Sequence, residues 1–123
     1  MNKILIVEDD ATLRRIVFDK LKSEGFDVCE ANNGVAGLEM ALKEHPDLIL
    51  MDIIMPEMDG MTMLKKLRED EWGKDARVII TTNLGDDKKS QEAMEHGVYD
   101  YLVKTEWSLD DLILKVKDKL GNF

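Results

Sequence analysis

Glu8, Asp9, Asp52, Thr82 and Lys104 are spread through the chain, yet their types would act together if a fold gathered them. Carboxylates held close together repel one another unless a cation sits among them. An all-oxygen set of that kind suits a hard ion such as Mg²⁺, which keeps several of its waters. An ammonium and a hydroxyl nearby complete a site for a phosphoryl group, whose oxygens the ion and the ammonium neutralise together. Taken singly, each residue has a plainer use. Asp9 or Asp10 would cap a helix, and for Asp10 that use is the better reading. Thr82 suits a strand, Lys104 a solvated surface and Tyr101 a half-buried core position, while Met55-Pro56 and Asp59-Gly60 punctuate turns. Only their coincidence at corresponding places in a fold would single them out.

The elements that must position them follow from periodicity. Short apolar runs recur at Ile4–Val7, Val28–Ala31, Leu48–Met51, Val78–Ile80 and Tyr101–Val103. They are continuous rather than alternating, as strands buried on both faces are. Between them, Leu13, Ile16, Val17 and Leu21 share one helical face, as do Leu38, Ala41 and Leu42, and then Leu64 and Leu67. Asp86–His96, where only Ala93 and Met94 are apolar, is expected as a short exposed helix. The last helix carries Leu109, Leu112, Ile113, Val116 and Leu120 behind Ser108-Leu-Asp-Asp111, a capping box. Gly25 and Gly97 stand where helix C-caps belong, Pro46 discourages continuation of the second helix, and His45 and His96 fall in last helical turns. The alternation is (βα)5, an α/β class with a parallel sheet, right-handed crossovers and helices on both faces. Such sheets bind ligands beyond the carboxyl ends of their strands, and Glu8, Asp9, Asp52, Thr82 and Lys104 all stand at such ends.

Composition narrows the function. The 123 residues make one domain by the ordinary prior, with 44% hydrophobic residues and no need of a disulfide or structural metal. Acids number 26 and bases 17, a net charge of −9, which argues against direct contact with nucleic acid or an anionic membrane. No apolar run is long enough to span a bilayer, and the amino terminus is too short in apolar residues and too acidic for a signal peptide. Cys29 is the only cysteine and reads as a small buried hydrophobe on a strand. The expected compartment is the cytoplasm.

On Ile4-Leu-Ile-Val-Glu-Asp-Asp10, Pro46-Asp-Leu-Ile-Leu-Met-Asp-Ile-Ile-Met-Pro-Glu-Met-Asp-Gly60, Val78-Ile-Ile-Thr-Thr82 and Gly97-Val-Tyr-Asp-Tyr-Leu-Val-Lys104, the chain resembles a two-component response-regulator receiver domain over essentially its whole length. The resemblance implies a flavodoxin-like, doubly wound sheet of strand order 2-1-3-4-5. It implies that Asp52 accepts a phosphoryl group from a sensor histidine kinase or histidine phosphotransfer protein. Mg²⁺, with Mn²⁺ also compatible, would be held by Glu8, Asp9, Asp52 and the backbone carbonyl of Ile54. Lys104 would pair with the phosphoryl group, Thr82 rather than Thr81 would take the switch hydroxyl position, and Tyr101 the switch aromatic position. The switch would act on a downstream protein through the face formed by the fourth helix, fifth strand and fifth helix, as a monomer or a phosphorylation-dependent dimer. Residues 1–123 would form one receiver domain without an output domain, a signalling switch and not a turnover enzyme.

Two positions depart from the family pattern: Thr105 follows Lys104 where Pro is usual, and Asn83 follows Thr82 where Ala or Gly is usual. Other classes fit less well. An aspartate-nucleophile phosphohydrolase of the haloacid dehalogenase type would place a second Asp where Ile54 stands. A flavodoxin-like FMN binder would want a Ser/Thr/Gly loop where Glu8-Asp9-Asp10 would repel phosphate. A phosphorylation-independent receiver-like interaction domain would have no use for the intact set.

Overall fold

The computed structural model describes residues 2–53, 58–82, 92, 94–98, 100–103 and 108–121, the last strand and Thr82 by backbone alone. Five strands, β1 (Lys3–Val7), β2 (Asp27–Ala31), β3 (Leu48–Asp52), β4 (Val78–Thr82) and β5 (Asp100–Val103), form one parallel sheet in the order β2-β1-β3-β4-β5. Each begins or ends within two residues of the apolar run that announced it. Helices α1 (Ala11–Ser23), α2 (Gly34–Glu44) and α3 (Gly60–Arg68) and a C-terminal helix (Leu109–Leu120) connect and cover the strands, with a 3₁₀ turn at Gly73–Asp75. The expected helix at 86–96 lies largely outside the described residues; Glu92, Met94 and Glu95 are helical.

Residues of β1, β3 and β4 alternate between two cores, which is why those runs are apolar throughout, whereas the edge strand β2 carries the exposed Glu30. Leu5, Val7, Ile49, Met51, Val78 and Ile80 pack with Ala41 of α2 and Met61, Met63, Leu64 and Leu67 of α3. Ile4, Ile6, Val28, Leu48, Leu50 and Ile79 pack with Val17 and Leu21 of α1 and Leu112, Ile113 and Val116 of the C-terminal helix.

Helix ends follow local chemistry. The Asp10 carboxylate accepts from the N–H groups of Thr12 (3.0 Å) and Leu13 (3.1 Å), capping α1. Ser108 and Asp111 form the reciprocal capping box of the C-terminal helix. Gly25 and Gly97 adopt positive φ, as a chain leaving a helix often requires. His45 is itself the C-cap of α2, in the left-handed region at φ 47°, and its ring stacks on Trp72 at 4.4 Å between centroids.

Three burial expectations change. Ile16 is 45% exposed and Leu42 37%, because each lies on the flank of its helix, where no element among the described residues covers it. On α2 the small residues Gly37 and Ala41 face the sheet instead and let the helix lie close, while Gly34 packs against the backbone of Met58. Cys29 is only half-buried, since β2 is an edge strand; its thiol lies 3.8 Å from the Ile4 carbonyl oxygen, and burial pushes its pKa up.

Candidate functional site

In a sheet of this order the chain leaves β1 toward β2 on one side and reaches β3 on the other, so a crevice opens at the carboxyl ends of β1 and β3. The register pairs Val7 with Met51, which brings the next residues, Glu8 and Asp52, abreast across that crevice. Carboxylate oxygens of Glu8, Asp9 and Asp52 all lie within 4.8 Å of one another. Glu8 and Asp52 are 4% and 5% exposed, whereas Asp9 faces solvent. Two acids thus form a buried floor and the third an open rim.

Short connections hold this geometry. The Glu8 N–H donates to the Ala31 carbonyl (3.1 Å), and the Asp10 N–H donates to the Glu8 carboxylate (3.1 Å). After β3 the Gly60 N–H donates to the Ile53 carbonyl at 2.7 Å, while Asp59 caps α3 by accepting from the Thr62 N–H at 2.8 Å. A Cβ at position 60 would collide with the Asp52 carbonyl oxygen, so only glycine lets the start of α3 close over the end of β3.

Of the residues expected to act, the fold brings Glu8, Asp9 and Asp52 together. Thr82 is the last residue of β4 and pairs in register with Val103, which immediately precedes Lys104; Tyr101 lies within β5. Thr82 and Tyr101 are described by their backbone only, and Ile54, Asn83, Leu84, Lys104 and Thr105 lie outside the described residues. Thr81 pairs in register with Asp52, and its buried side chain lines a cavity of about 20 Å³ beneath the site, with Glu8, Leu13 and Leu112.

Two contributors escape a reading of the sequence. One is the steric role of Gly60, which the Asp-Gly pair signals only as a turn. The other is Arg14, whose Nη1 donates to the Glu8 carbonyl at 2.8 Å and whose Nε lies 3.8 Å from the Glu30 carboxylate. Its neighbour Arg15 instead points outward to Asp19. A pair of adjacent arginines does not reveal which one turns toward the strand end.

The donor set suits a hard divalent cation: three carboxylates, two of them buried, with an open side for water ligands. Mg²⁺ meets those requirements. Among the described residues no helix is long and apolar enough to cross a membrane.

Comparison with known proteins agrees with this architecture. The response regulator receiver domain family matches residues 4–117. Regulatory protein AtoC of Escherichia coli is 39% identical over 98% of this chain but only 25% of its own length. The DNA-binding dual master transcriptional regulator RpaA of Synechocystis is 33% identical over 95% of this chain and 48% of its own length. The chain therefore spans about half or less of these curated relatives. Among solved structures, chemotaxis response regulator CheY4 of Vibrio cholerae superposes with a TM-score of 0.89 at 28% identity, covering 97% of this chain and 98% of that one. With a five-stranded parallel sheet in the order 2-1-3-4-5 and three carboxylates at its switch point, the chain belongs to the response regulator receiver domain family.

Proposed function

We propose that the chain is a phosphorylation-dependent switch in which Asp52 is the phosphoacceptor. The observation that carries this reading is the position of Asp52, buried at the end of β3 and within 4.8 Å of the Glu8 and Asp9 carboxylates. An Asp52 carboxylate oxygen attacks phosphorus, the bond from phosphorus to a donor histidine nitrogen breaks with its electron pair going to that nitrogen, and the ring, already protonated on its other nitrogen, leaves as neutral imidazole. Glu8, Asp9, Asp52 and the Ile54 carbonyl would hold Mg²⁺, which when bound offsets the repulsion between the nucleophile and the incoming phosphoryl oxygens. Lys104 pairs with one of those oxygens.

The product carries roughly −1.5 to −2 charge where the carboxylate carried −1, beside acids that are already anionic, and it presents new acceptor oxygens. Thr82 takes up a hydrogen bond to the new acceptor oxygens, and Tyr101 moves into the space it leaves. This biases two preexisting arrangements of the face around residues 86–96, β5 and the C-terminal helix, and a partner protein reads the difference. Residues 1–123 act as one receiver domain. The phosphodonor is a histidine kinase or a phosphotransfer protein, and the chain modifies itself rather than turning over a substrate.

The test is intact-protein mass spectrometry after incubation with acetyl phosphate and Mg²⁺. One phosphoryl group is expected on the unaltered protein and none on Asp52→Asn. Equal labelling of the two would remove Asp52 from the role.

A further inference from the structure

Two of the three clustered carboxylates hang on the connection from β1 to α1, a stretch of three residues, 8–10, with no regular structure. Glu8 and Asp9 repel each other and Asp52, so the connection is under pressure to open. The backbone of Glu8 is held at both of its polar groups. Its N–H donates to Ala31 of β2, and its carbonyl accepts from Nη1 of Arg14 at 2.8 Å.

Arg14 is well placed for that task. It sits in the first turn of α1, where its own N–H donates to the Asp10 carbonyl at 2.9 Å, and its side chain is only 18% exposed. Its Nε lies 3.8 Å from the Glu30 carboxylate on β2. One planar guanidinium therefore spans α1, the acidic connection and the edge strand, which a single-point ammonium does not do.

We propose that Arg14 is a positioning residue for the divalent cation, holding the Glu8 carbonyl so that the Glu8 and Asp9 side chains stay converged on Asp52. The proposal rests on the reading that these carboxylates hold Mg²⁺. Arg14 acts in two opposed ways. As a positive charge beside the site it weakens cation binding, and as an anchor it strengthens binding by preorganising two ligands. The short bond to the Glu8 carbonyl is the reason to give anchoring the larger weight.

The opposed signs supply the test. Mg²⁺ affinity is measured by isothermal titration calorimetry for the unaltered protein, Arg14→Met and Arg14→Lys, with metal-free melting temperatures alongside. Arg14→Met removes charge and anchor; Arg14→Lys keeps the charge and loses the fork, and it reads the same point if Arg14→Met fails to fold. Both variants are expected to bind Mg²⁺ more weakly, Arg14→Lys by about tenfold, in the range that outer contacts of metal ligands usually command, and Arg14→Met by less because it also sheds the repelling charge. Tighter binding by Arg14→Met would show that charge dominates and would overturn the proposal. Unchanged affinity with a lowered melting temperature would overturn it too, leaving Arg14 a structural role only. Failure of the unaltered protein to bind Mg²⁺ at millimolar concentration would instead overturn the cation reading itself.

Discussion

Gly60 and Asp52 are in such close contact that the α-carbon of the one leaves no room for a side chain against the carbonyl oxygen of the other. Eight positions apart in sequence, they form the two ends of the connection that shapes the site, and the Gly60 N–H closes it on Ile53 at 2.7 Å. The obstacle is backbone rather than a movable side chain. Gly60→Ala should therefore lower stability by about 1–3 kcal/mol, the usual range for overpacking. Urea unfolding at equilibrium measures it, and an unchanged midpoint would show that α3 can shift at little cost.

Repulsion among the three clustered acids predicts a second effect. Asp9→Asn should raise the melting temperature of the metal-free protein by about 2–5 °C, because one of the facing charges disappears. The same change should weaken Mg²⁺ binding and so reduce the stabilisation that added Mg²⁺ produces, since the ion binds the folded state. Differential scanning calorimetry with and without Mg²⁺ reads both. A lower metal-free melting temperature than that of the unaltered protein would contradict the repulsion argument.

The carboxylate of Glu24, at the end of α1, accepts from Lys117 of the C-terminal helix at 3.0 Å. That hydrogen bond and the adjacent charge hold the Glu24 pKa below its ordinary value. A carboxylate with a depressed folded-state pKa stabilises the fold above the unfolded value, near 4.3, and loses that contribution as pH falls through the folded value. The pair is partly exposed, so the effect is small. Glu24→Gln should lower the melting temperature slightly at pH 7, and the gap should close as pH falls below about 4. A gap independent of pH would assign the effect to packing.

The lifetime of the phosphorylated form should depend on position 54. Hydrolysis of an aspartyl phosphate needs a water aligned with the acyl phosphate, and a nearby polar side chain helps to hold it there. Ile54 and Leu84, two positions beyond Asp52 and Thr82, are apolar. Ile54→Asn should shorten the lifetime several-fold and Ile54→Val should change it little, followed on phosphate-affinity gels after donor removal. Equal decay of Ile54→Asn and the unaltered protein would place control of water elsewhere.

Local features were legible in the residues themselves. Short apolar runs marked all five strands, most plainly β1 and β3, because a strand covered on both faces has no polar side to show. Asp10 and Ser108 announced helix starts because a cap is made with N–H groups two or three residues away. Glu8, Asp9 and Asp52 were recognisable because they stand at the ends of β1 and β3, and ends of parallel strands share one edge of the sheet. Periodicity alone leaves strand order open; the order 2-1-3-4-5 came with the motif resemblance. What only the tertiary structure decided are relations among distant segments. The β1–β3 register sets Glu8 abreast of Asp52, Arg14 rather than Arg15 turns to the Glu8 carbonyl, and His45 stacks on Trp72. Ile16 and Leu42 share the apolar pattern of their buried neighbours yet lie open to solvent. A helical repeat states which residues share a stripe, but the width of stripe that is covered depends on what packs beside it, and that is fixed by elements far away in the chain.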